Sequence, residues 1–448
     1  MLVLQQSIDA LCSGRSRARD LIESCLQRIE EPAGEGSRAF LGVFAAEARA
    51  RADSVDRLRS AGARLPPLAG VPVSVKDLFD VAGLTTAAGS QALRSRPPAS
   101  HDAWVVERLR AAGMIVIGRT NMTELAFSGL GINPHFGTPL NPYERNIGRI
   151  PGGSSSGAAV SVTDGMAAVA IGSDTGGSVR IPAALTGIVG FKPTAHRIPR
   201  QGMAPLSTTL DSVGWLAPTV RCCALLDATL CGGNRELPDP YPLGGLRLLV
   251  PQSYVLEGLD SQVAASFERS LEALSHAGAL LRSTPLPQLA RLPEINATGG
   301  FSAAESYARY GALIEAHPEK FDPRVAVRVL KGREQTAADY VRLIEARADL
   351  IRQVDRTTEA FDALIMPTVP IVAPRLEELK DDAAYFRTNA LVLRNPAVVN
   401  FLDRCAISLP VQRPGEAPVG LMLIGEHGSD RKLLAVARAA EALLTDGA

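Results

Sequence analysis

Two glycine- and serine-rich segments carry the residue types in this chain that are best suited to nucleophilic chemistry. They are Gly152-Gly153-Ser154-Ser155-Ser156-Gly157 and Asp174-Thr175-Gly176-Gly177-Ser178. Glycine permits sharp turns and a close approach of the backbone to a substrate. No histidine adjoins either segment. A serine nucleophile here therefore needs another base, and a lysine amine is the available candidate.

Lys76 is that candidate base. It follows Val71, Val73 and Val75, whose alternation predicts a strand that ends at the lysine. Burial disfavours the ammonium form and lowers the pKa of a lysine, so that a neutral amine can accept a serine proton. The alternative is a solvated surface lysine, since lysine is seldom fully buried.

The second glycine-serine segment also offers consecutive backbone amides, from Thr175, Gly176, Gly177 and Ser178. Amides that converge on one point can stabilise the oxyanion that develops during acyl transfer. Either segment taken alone is also compatible with a glycine-rich loop that does no chemistry.

With these residues in view, the chain is seen to resemble the amidase signature family of serine amidases. The resemblance is carried by 152–157, by 172–184 and by 187–194, and Ser154 precedes Ser178 by 24 positions, as the two catalytic serines of that family do. It implies that Ser178 is the nucleophile, that Ser154 is a bridging serine after a cis peptide bond, and that Lys76 is the base that acts through Ser154. The implied activity is hydrolysis of the carbon–nitrogen bond of linear amides through an acyl-enzyme, without a cofactor.

The resemblance also implies a substrate pocket. The stretch 120–128 is similar to the family segment that lines the acyl pocket, so Ala126 and Phe127 are expected to contact substrate together with Ser154. The amides from Thr175 to Ser178 correspond to the oxyanion hole of the family.

Three further residues in the signature region call for an interpretation. Asp174 and Arg180 flank the nucleophile, and we expect them to brace the loop rather than touch substrate. Trp215 stands where proline is common in the family. Its bulk either fills core, which we favour, or alters a pocket wall.

Composition excludes several classes of protein. Of 448 residues, 46% are hydrophobic and 21% are charged, which argues against disorder, and Lys+Arg balances Asp+Glu at 47 each, which gives no sign of a nucleic-acid or anionic-membrane surface. The six cysteines contain no Cys-x-x-Cys, and the histidines have no metal-ligand spacing, so neither disulfides nor a metal site is predicted.

Apolar periodicity predicts alternating helices and strands. Helical patterns occur at 37–62, 102–112, 155–168 and 337–358, and strand patterns at 71–75, 114–118, 246–250, 362–366, 406–411 and 418–424. A further helix with Ser16 as its N-cap is predicted near the N-terminus. The alternation predicts an α/β fold, with a mixed twisted β-sheet covered by helices on both faces.

The family precedent implies one large domain over 1–448. Its catalytic core is expected at about 65–220, and a variable region that shapes substrate access at about 250–360. The Pro/Gly-rich stretch 232–245 is predicted to be a hinge or a long surface connection. No secretory leader or membrane-length apolar run is found, so a cytoplasmic protein acting on a small-molecule amide is expected, and a homodimer is compatible with the sequence.

Two other interpretations of the motifs are possible. Gly153-Ser154-Ser155-Ser156-Gly157 also fits the Gly-x-Ser-x-Gly elbow of α/β-hydrolases, but that elbow requires a preceding strand, and 141–151 is polar and bounded by prolines. The second interpretation is the glutamine-hydrolysing A subunit of a tRNA-dependent amidotransferase, which shares these motifs and needs partner subunits.

Overall fold

The computed structural model describes residues 4–232 and 237–445. These residues are built around one eleven-stranded β-sheet. In chain order the strands are β1 Phe40–Val43, β2 Pro72–Lys76, β3 Ile115–Thr120, β4 Val169–Asp174, β5 Val189–Lys192, β6 Ser212–Ala217, β7 Arg247–Pro251, β8 Leu280–Thr284, β9 Ala363–Pro367, β10 Ala406–Pro410 and β11 Gly420–Ile424. Their order across the sheet is β1-β3-β2-β4-β6-β5-β10-β11-β9-β7-β8.

The sheet is mixed, as the sequence predicts. Strand β2 is parallel to its neighbours β3 and β4, and β7 is parallel to β8 and β9. The remaining neighbours pair antiparallel. Strand β2 therefore lies inside the sheet, and all five of its residues are buried.

Both faces of the sheet are covered at β9, which explains why this strand is a continuous apolar run. In β9, Ile365 packs into one apolar cluster while Leu364 and Met366 pack into another. Successive side chains of a strand point to opposite faces, so each face has its own core.

Fifteen α-helices are found in the described residues. They are α1 Leu4–Cys12, α2 Ala18–Glu30, α3 Gly36–Ala39, α4 Ala45–Ser60, α5 Trp104–Ala111, α6 Ser156–Thr163, α7 Arg180–Thr186, α8 Val220–Cys231, α9 Ser261–His276, α10 Leu292–Ile295, α11 Gly300–Ala316, α12 Pro323–Leu330, α13 Ala337–Thr358, α14 Asp382–Phe401 and α15 Asp430–Thr445. Within the two described ranges, no helix has the length and apolar character needed to cross a membrane.

Most predicted elements agree with the structure to within two residues, and α13 agrees at both ends. The helix predicted at 37–62 is wrong in its first part, because 40–43 forms β1, which pairs with β3 at the edge of the sheet. The helix predicted at 155–168 ends at Thr163. Part of the predicted connection at 232–245, namely 233–236, lies outside the described residues.

Ser16 is not the N-cap of the first predicted helix, because α2 begins one residue later and Arg17 occupies the cap position. Helix α2 gains its N-terminal acceptor from elsewhere, since the Asp56 carboxylate accepts hydrogen bonds from the amides of Ala18 and Arg19 at 2.7 and 3.0 Å. A distant carboxylate thus does the work expected of a local serine.

Candidate active site

Lys76 lies at the carboxyl end of β2, and its side chain is completely buried. The alternating valines of β2 explain this position, since they fix the strand between β3 and β4 and carry the lysine into the core. The solvated-surface alternative for Lys76 is therefore wrong.

Two serine hydroxyls hold the Lys76 amine. Its Nζ donates to Ser154 Oγ at 2.7 Å and to Ser173 Oγ at 2.9 Å. Burial lowers the pKa of Lys76 to about 7, although the negative charges of Asp174 and Asp211 act in the opposite direction. A large fraction of this lysine is therefore neutral near pH 7 and able to accept a proton.

Ser154 follows a cis peptide bond, Gly153–Ser154, as the family resemblance implies. Gly153 is required by a close backbone crossing, because a Cβ at this position would lie 2.5 Å from the amide nitrogen of Gly131. The Ser154 carbonyl accepts from the amide of Thr123 at 3.1 Å. These contacts fix the hydroxyl of Ser154 beside the lysine.

Ser178 lies at the end of the second glycine-serine segment, two residues before α7 begins at Arg180. Its carbonyl accepts from the amide of Ser155 at 3.2 Å, which ties the two glycine-serine segments together. Ser178 lines a cavity of about 600 Å³ together with Thr175 and Gly176. Within the described residues, no hydrogen bond joins the Ser178 and Ser154 hydroxyls, although catalytic hydrogen bonds often form only when substrate is bound.

The four amides of the second segment differ in their surroundings. The Gly177 amide donates to Asp174 Oδ1 at 2.8 Å and is therefore engaged. The amides of Gly176 and Ser178 make no hydrogen bond to any described residue. Gly177 has φ +124°, and a Cβ there would lie 2.5 Å from the Pro396 side chain, so glycine is needed for this turn.

Asp174 and Arg180 form the brace that the sequence predicts. Arg180 Nη2 donates to Asp174 Oδ1 at 2.8 Å and Nε to Oδ2 at 3.0 Å, and both side chains are fully buried. Burial acts to raise the pKa of Asp174, but the charge and hydrogen bonds of Arg180 outweigh it and hold the pKa well below its ordinary value. The carboxylate also accepts from the Val179 amide at 3.1 Å, which secures the start of α7.

Three buried polar residues of the site were not identified from the sequence. Ser173 bonds Lys76, Asp211 accepts from the Thr175 hydroxyl at 2.5 Å, and Asn400 donates to Asp174 Oδ1 at 3.0 Å. For Ser173 a signal existed, because it is a polar residue at the end of a buried strand, as Lys76 is. Asn400 comes from α14, 226 positions after Asp174, and no local pattern reveals it.

The cavity brings together the turn 175–178 and the predicted pocket residues. Ala126 and Phe127 line it along with Ser178, whereas Ser154 lies beneath the surface and is fully buried. The segment 250–360 also supplies lining residues of the cavity, among them Asn296, which precedes α11, and Arg328, which lies in α12.

Trp215 fills core and does not line the cavity. It is fully buried in β6, and its ring lies 5.3 Å from that of Phe191, in keeping with the core interpretation. Among the described residues, no group of three or more His, Cys, Asp or Glu side chains is placed to hold a metal ion.

The chain is similar to known proteins over almost its whole length. The model of the family described as Amidase matches residues 20–434. A 2-amino-5-chloromuconic acid deaminase of Comamonas testosteroni is 38% identical over 437 residues, which cover 95% of this chain and 93% of that protein. The A subunit of a glutamyl-tRNA(Gln) amidotransferase of Symbiobacterium thermophilum is 34% identical over 465 residues, with 95% and 93% coverage. A crystal structure described as an amidase superposes with a TM-score of 0.89 at 32% identity, covering 99% of this chain and 100% of that chain.

Proposed function

This chain belongs to the amidase family and is a hydrolase that acts on carbon–nitrogen bonds, and from that premise we propose that it cleaves amides through an acyl-enzyme on Ser178, with Ser154 and Lys76 as its proton relay. One observation carries the proposal. The buried Lys76 amine donates to Ser154 Oγ at 2.7 Å, and the segment that carries Ser154 is tied by the Ser155 amide to the carbonyl of Ser178, which lines the cavity.

In the proposed acylation step, Ser178 Oγ attacks the carbonyl carbon of the amide. Its proton moves to Ser154, which passes its own proton to the neutral Nζ of Lys76. The carbonyl electron pair moves onto oxygen, and the intermediate then collapses with cleavage of the carbon–nitrogen bond. The proton returns from Lys76 through Ser154 to the departing nitrogen, which leaves as ammonia or an amine.

The second half of the reaction restores the enzyme. Water attacks the ester on Ser178, and its proton takes the same path through Ser154 to Lys76. Collapse of the second intermediate breaks the ester bond, returns the proton to Ser178 Oγ and releases a carboxylic acid. Every proton that Lys76 accepts is thus given back within one cycle.

The oxyanion of both intermediates is proposed to lie against the turn 175–178. The amides of Gly176 and Ser178 are available as donors, because they have no other acceptor among the described residues. The Gly177 amide would have to share its bond to Asp174, and Thr175 completes the predicted set. In other hydrolases, loss of one such donor costs about 3 kcal/mol of transition-state stabilisation.

The test of this proposal is covalent labelling and turnover of the purified chain. Wild type is expected to hydrolyse some members of a panel of small amides and to be labelled on Ser178 by a serine-directed phosphonate. Ser178→Ala is expected to abolish both. Ser156→Ala is the matched control, because this buried hydroxyl of the neighbouring turn has no partner in the described part of the chain. Labelling of Ser154 or Ser155 in the Ser178→Ala protein would show that the nucleophile is assigned wrongly.

A second candidate function is favoured by the amidotransferase relatives. Their similarity supports a role as a glutamine-hydrolysing A subunit that works only with partner proteins. The same panel separates the two candidates when it contains glutamine and 2-amino-5-chloromuconic acid, the compound in the name of the Comamonas relative. Turnover by the chain alone supports a free-standing hydrolase, whereas hydrolysis of glutamine only when amidotransferase partners are added supports the role within a complex.

A further inference from the structure

The charged side chains that line the cavity all carry the same sign. They are Arg328, Lys331 and Arg394, and no aspartate or glutamate is found among the described lining residues. Many arginines elsewhere in the described chain have a carboxylate within 4 Å, so three cations without such a partner around one cavity are a distinct feature.

Arg328 is the most available of the three. Its Nη1 donates to the carbonyl of Phe127, and its guanidinium lies 4.1 Å from the centroid of the Phe127 ring. None of its other nitrogens has a hydrogen-bond partner in the described chain. Its neighbours on the same segment differ, because Arg324 pairs with Asp382 at 2.7 Å and Arg333 with Glu315 at 3.7 Å.

Burial makes the lack of a counter-ion costly for Arg328. The side chain is partly open to the cavity and otherwise enclosed by protein. This burial lowers the pKa of the guanidinium to about 10, and the Tyr385 hydroxyl opposes that shift. A guanidinium shielded from bulk water is stabilised by a carboxylate, which it binds with two parallel hydrogen bonds. The free edge of Arg328 therefore fits a carboxylate that comes from a ligand.

The other two cations, Lys331 and Arg394, are less suited than Arg328 to hold a ligand carboxylate on their own, and both already donate to backbone carbonyls. Lys331 Nζ donates to the carbonyl of Ala297 at 2.8 Å and has further N–H groups to offer. Arg394 already uses its Nη1 and Nη2 on the carbonyls of Glu257 and Val255, at 2.6 and 3.0 Å. Burial lowers the pKa of Arg394, although the nearby charge of Glu257 acts in the opposite direction.

Phe127 connects this positive group to the catalytic turn. Its ring and carbonyl contact Arg328, and its side chain shares the cavity wall with Ala126 and Ser178. An acyl group bound at Ser178 therefore shares one cavity with Phe127 and with the Arg328 that Phe127 contacts.

We propose that the substrate is an amide whose acyl group carries a carboxylate at its far end, and that Arg328, assisted by Lys331, binds this carboxylate. This inference rests on the proposed hydrolysis at Ser178 and names its substrate class. It also predicts discrimination against amino-acid amides such as glutamine, because the cavity offers cations and, among its described lining residues, no carboxylate to an α-ammonium group.

Three amides of one length test the charge preference. Glutaramate has the required carboxylate, pentanamide replaces it by a methyl group, and glutamine adds an ammonium group to glutaramate. Wild type is expected to favour glutaramate over both others in kcat/KM. Because a hydrogen bond to a charged group is lost, Arg328→Gln is expected to lower kcat/KM for glutaramate about 10- to 100-fold and that for pentanamide less than about threefold.

Two further variants separate charge recognition from a structural role. Arg328→Lys keeps the charge but loses the two-pronged geometry, so part of the preference for glutaramate is expected to remain. Arg333→Gln removes an exposed, paired arginine from the same segment and is expected to leave the ratio of the two substrates unchanged. Equal loss on glutaramate and pentanamide in Arg328→Gln, or a wild type without preference, would overturn the inference.

A binding measurement distinguishes failure of this inference from failure of the proposed function. Glutarate is titrated calorimetrically into Ser178→Ala and into the Ser178→Ala, Arg328→Gln double variant. Glutarate is expected to bind Ser178→Ala and to bind the double variant at least about tenfold more weakly, which is the loss of affinity expected for one hydrogen bond to a charged group. This result would support the carboxylate site even if Ser178 does no chemistry. Hydrolysis of neutral amides without any glutarate binding leaves the proposed function standing and refutes the carboxylate site.

Discussion

The state of the Lys76 amine is set by two opposed influences. Complete burial favours the neutral form, while the charges of Asp174 and Asp211 favour the ammonium form. Burial prevails, and the pKa falls from 10.5 to about 7. The resulting amine is a usable base near neutral pH and retains enough basicity to accept a serine proton.

The first prediction concerns the pH profile of Lys76. Because the proposed mechanism uses the neutral amine as its base, kcat/KM is expected to rise as pH increases through about 7 and to level off above it. Lys76→Ala is expected to lower the rate by at least about 10²- to 10⁴-fold, the usual contribution of a general base. The measurement is a pH–rate profile of wild type and variant on one amide.

Lys76→Arg is the informative control for this prediction. A guanidinium keeps the positive charge but does not lose its proton in a protein, so this variant is expected to be as inactive as Lys76→Ala. A Lys76→Arg protein with near-wild-type activity, or a wild-type rate that falls as pH rises through about 7, would contradict the base role.

The position of a single site residue could be predicted from the sequence where one short segment determines the surroundings of that residue. The alternating valines predict the strand that ends at Lys76, although they leave the burial of the lysine open, and the glycines predict the turns that carry Ser154 and Ser178. The role of Arg328 was not predictable in this way. Its lack of a counter-ion depends on how α12 packs against a segment about 200 positions earlier.

At the scale of elements, the Asp174–Arg180 pair joins the end of β4 to the start of α7. Arg180 extends this link to α14, where its Nη2 donates to the Asn400 side chain at 2.7 Å and to the Pro396 carbonyl at 3.1 Å. The turn that carries Ser178 is thus held between a strand and two helices by one buried network. Such networks orient a site only while every member is satisfied.

The second prediction is that this network is highly sensitive to the loss of one partner. Asp174→Ala leaves the fully buried Arg180 without its counter-ion and is expected to destabilise the protein by about 3–5 kcal/mol. The measurement is the free energy of unfolding in denaturant. Glu377→Ala is the control, because its pair with Lys380 is 3.7 Å long and exposed, and its loss is expected to cost less than about 1 kcal/mol. A similar small effect for both variants would show that the buried pair does not hold the turn.

Two errors of the sequence prediction, at β1 and at the cap of α2, share a physical cause. Strand β1 lies within an apparently helical stretch, because pairing with β3 at the sheet edge overrides the local helical pattern of 37–62. Ser16 was expected to cap α2, but Asp56 of α4 accepts from its first amides instead. In both cases a partner distant in sequence supplies the hydrogen bonds.

At the scale of the whole molecule, the two parts of the chain meet at one cavity. The turns that carry Ser154 and Ser178 belong to the region 65–220, whereas α11, α12 and α14 from the later chain supply much of the cavity lining. This arrangement suggests different roles for the two regions. We propose that the first region performs the chemistry and that the later region, with Ala126 and Phe127, selects the amide.

The third prediction tests that division at Phe127, whose ring forms part of the cavity wall and is 6% exposed. Phe127→Ala enlarges the cavity, so the relative kcat/KM among uncharged amides with small and bulky acyl groups is expected to change by about 1–3 kcal/mol in favour of the bulky ones. Neutral substrates are used because Phe127 also contacts Arg328, so that the carboxylate preference does not enter the comparison. Phe267→Ala is the matched control, since Phe267 is 5% exposed and packs in a core cluster without lining the cavity. It is expected to lower stability without changing the order of substrates. If Phe127→Ala reduced the rate equally for every substrate, as a general loss of folded protein would, Phe127 would support the fold alone and the proposed selection by this wall would be wrong.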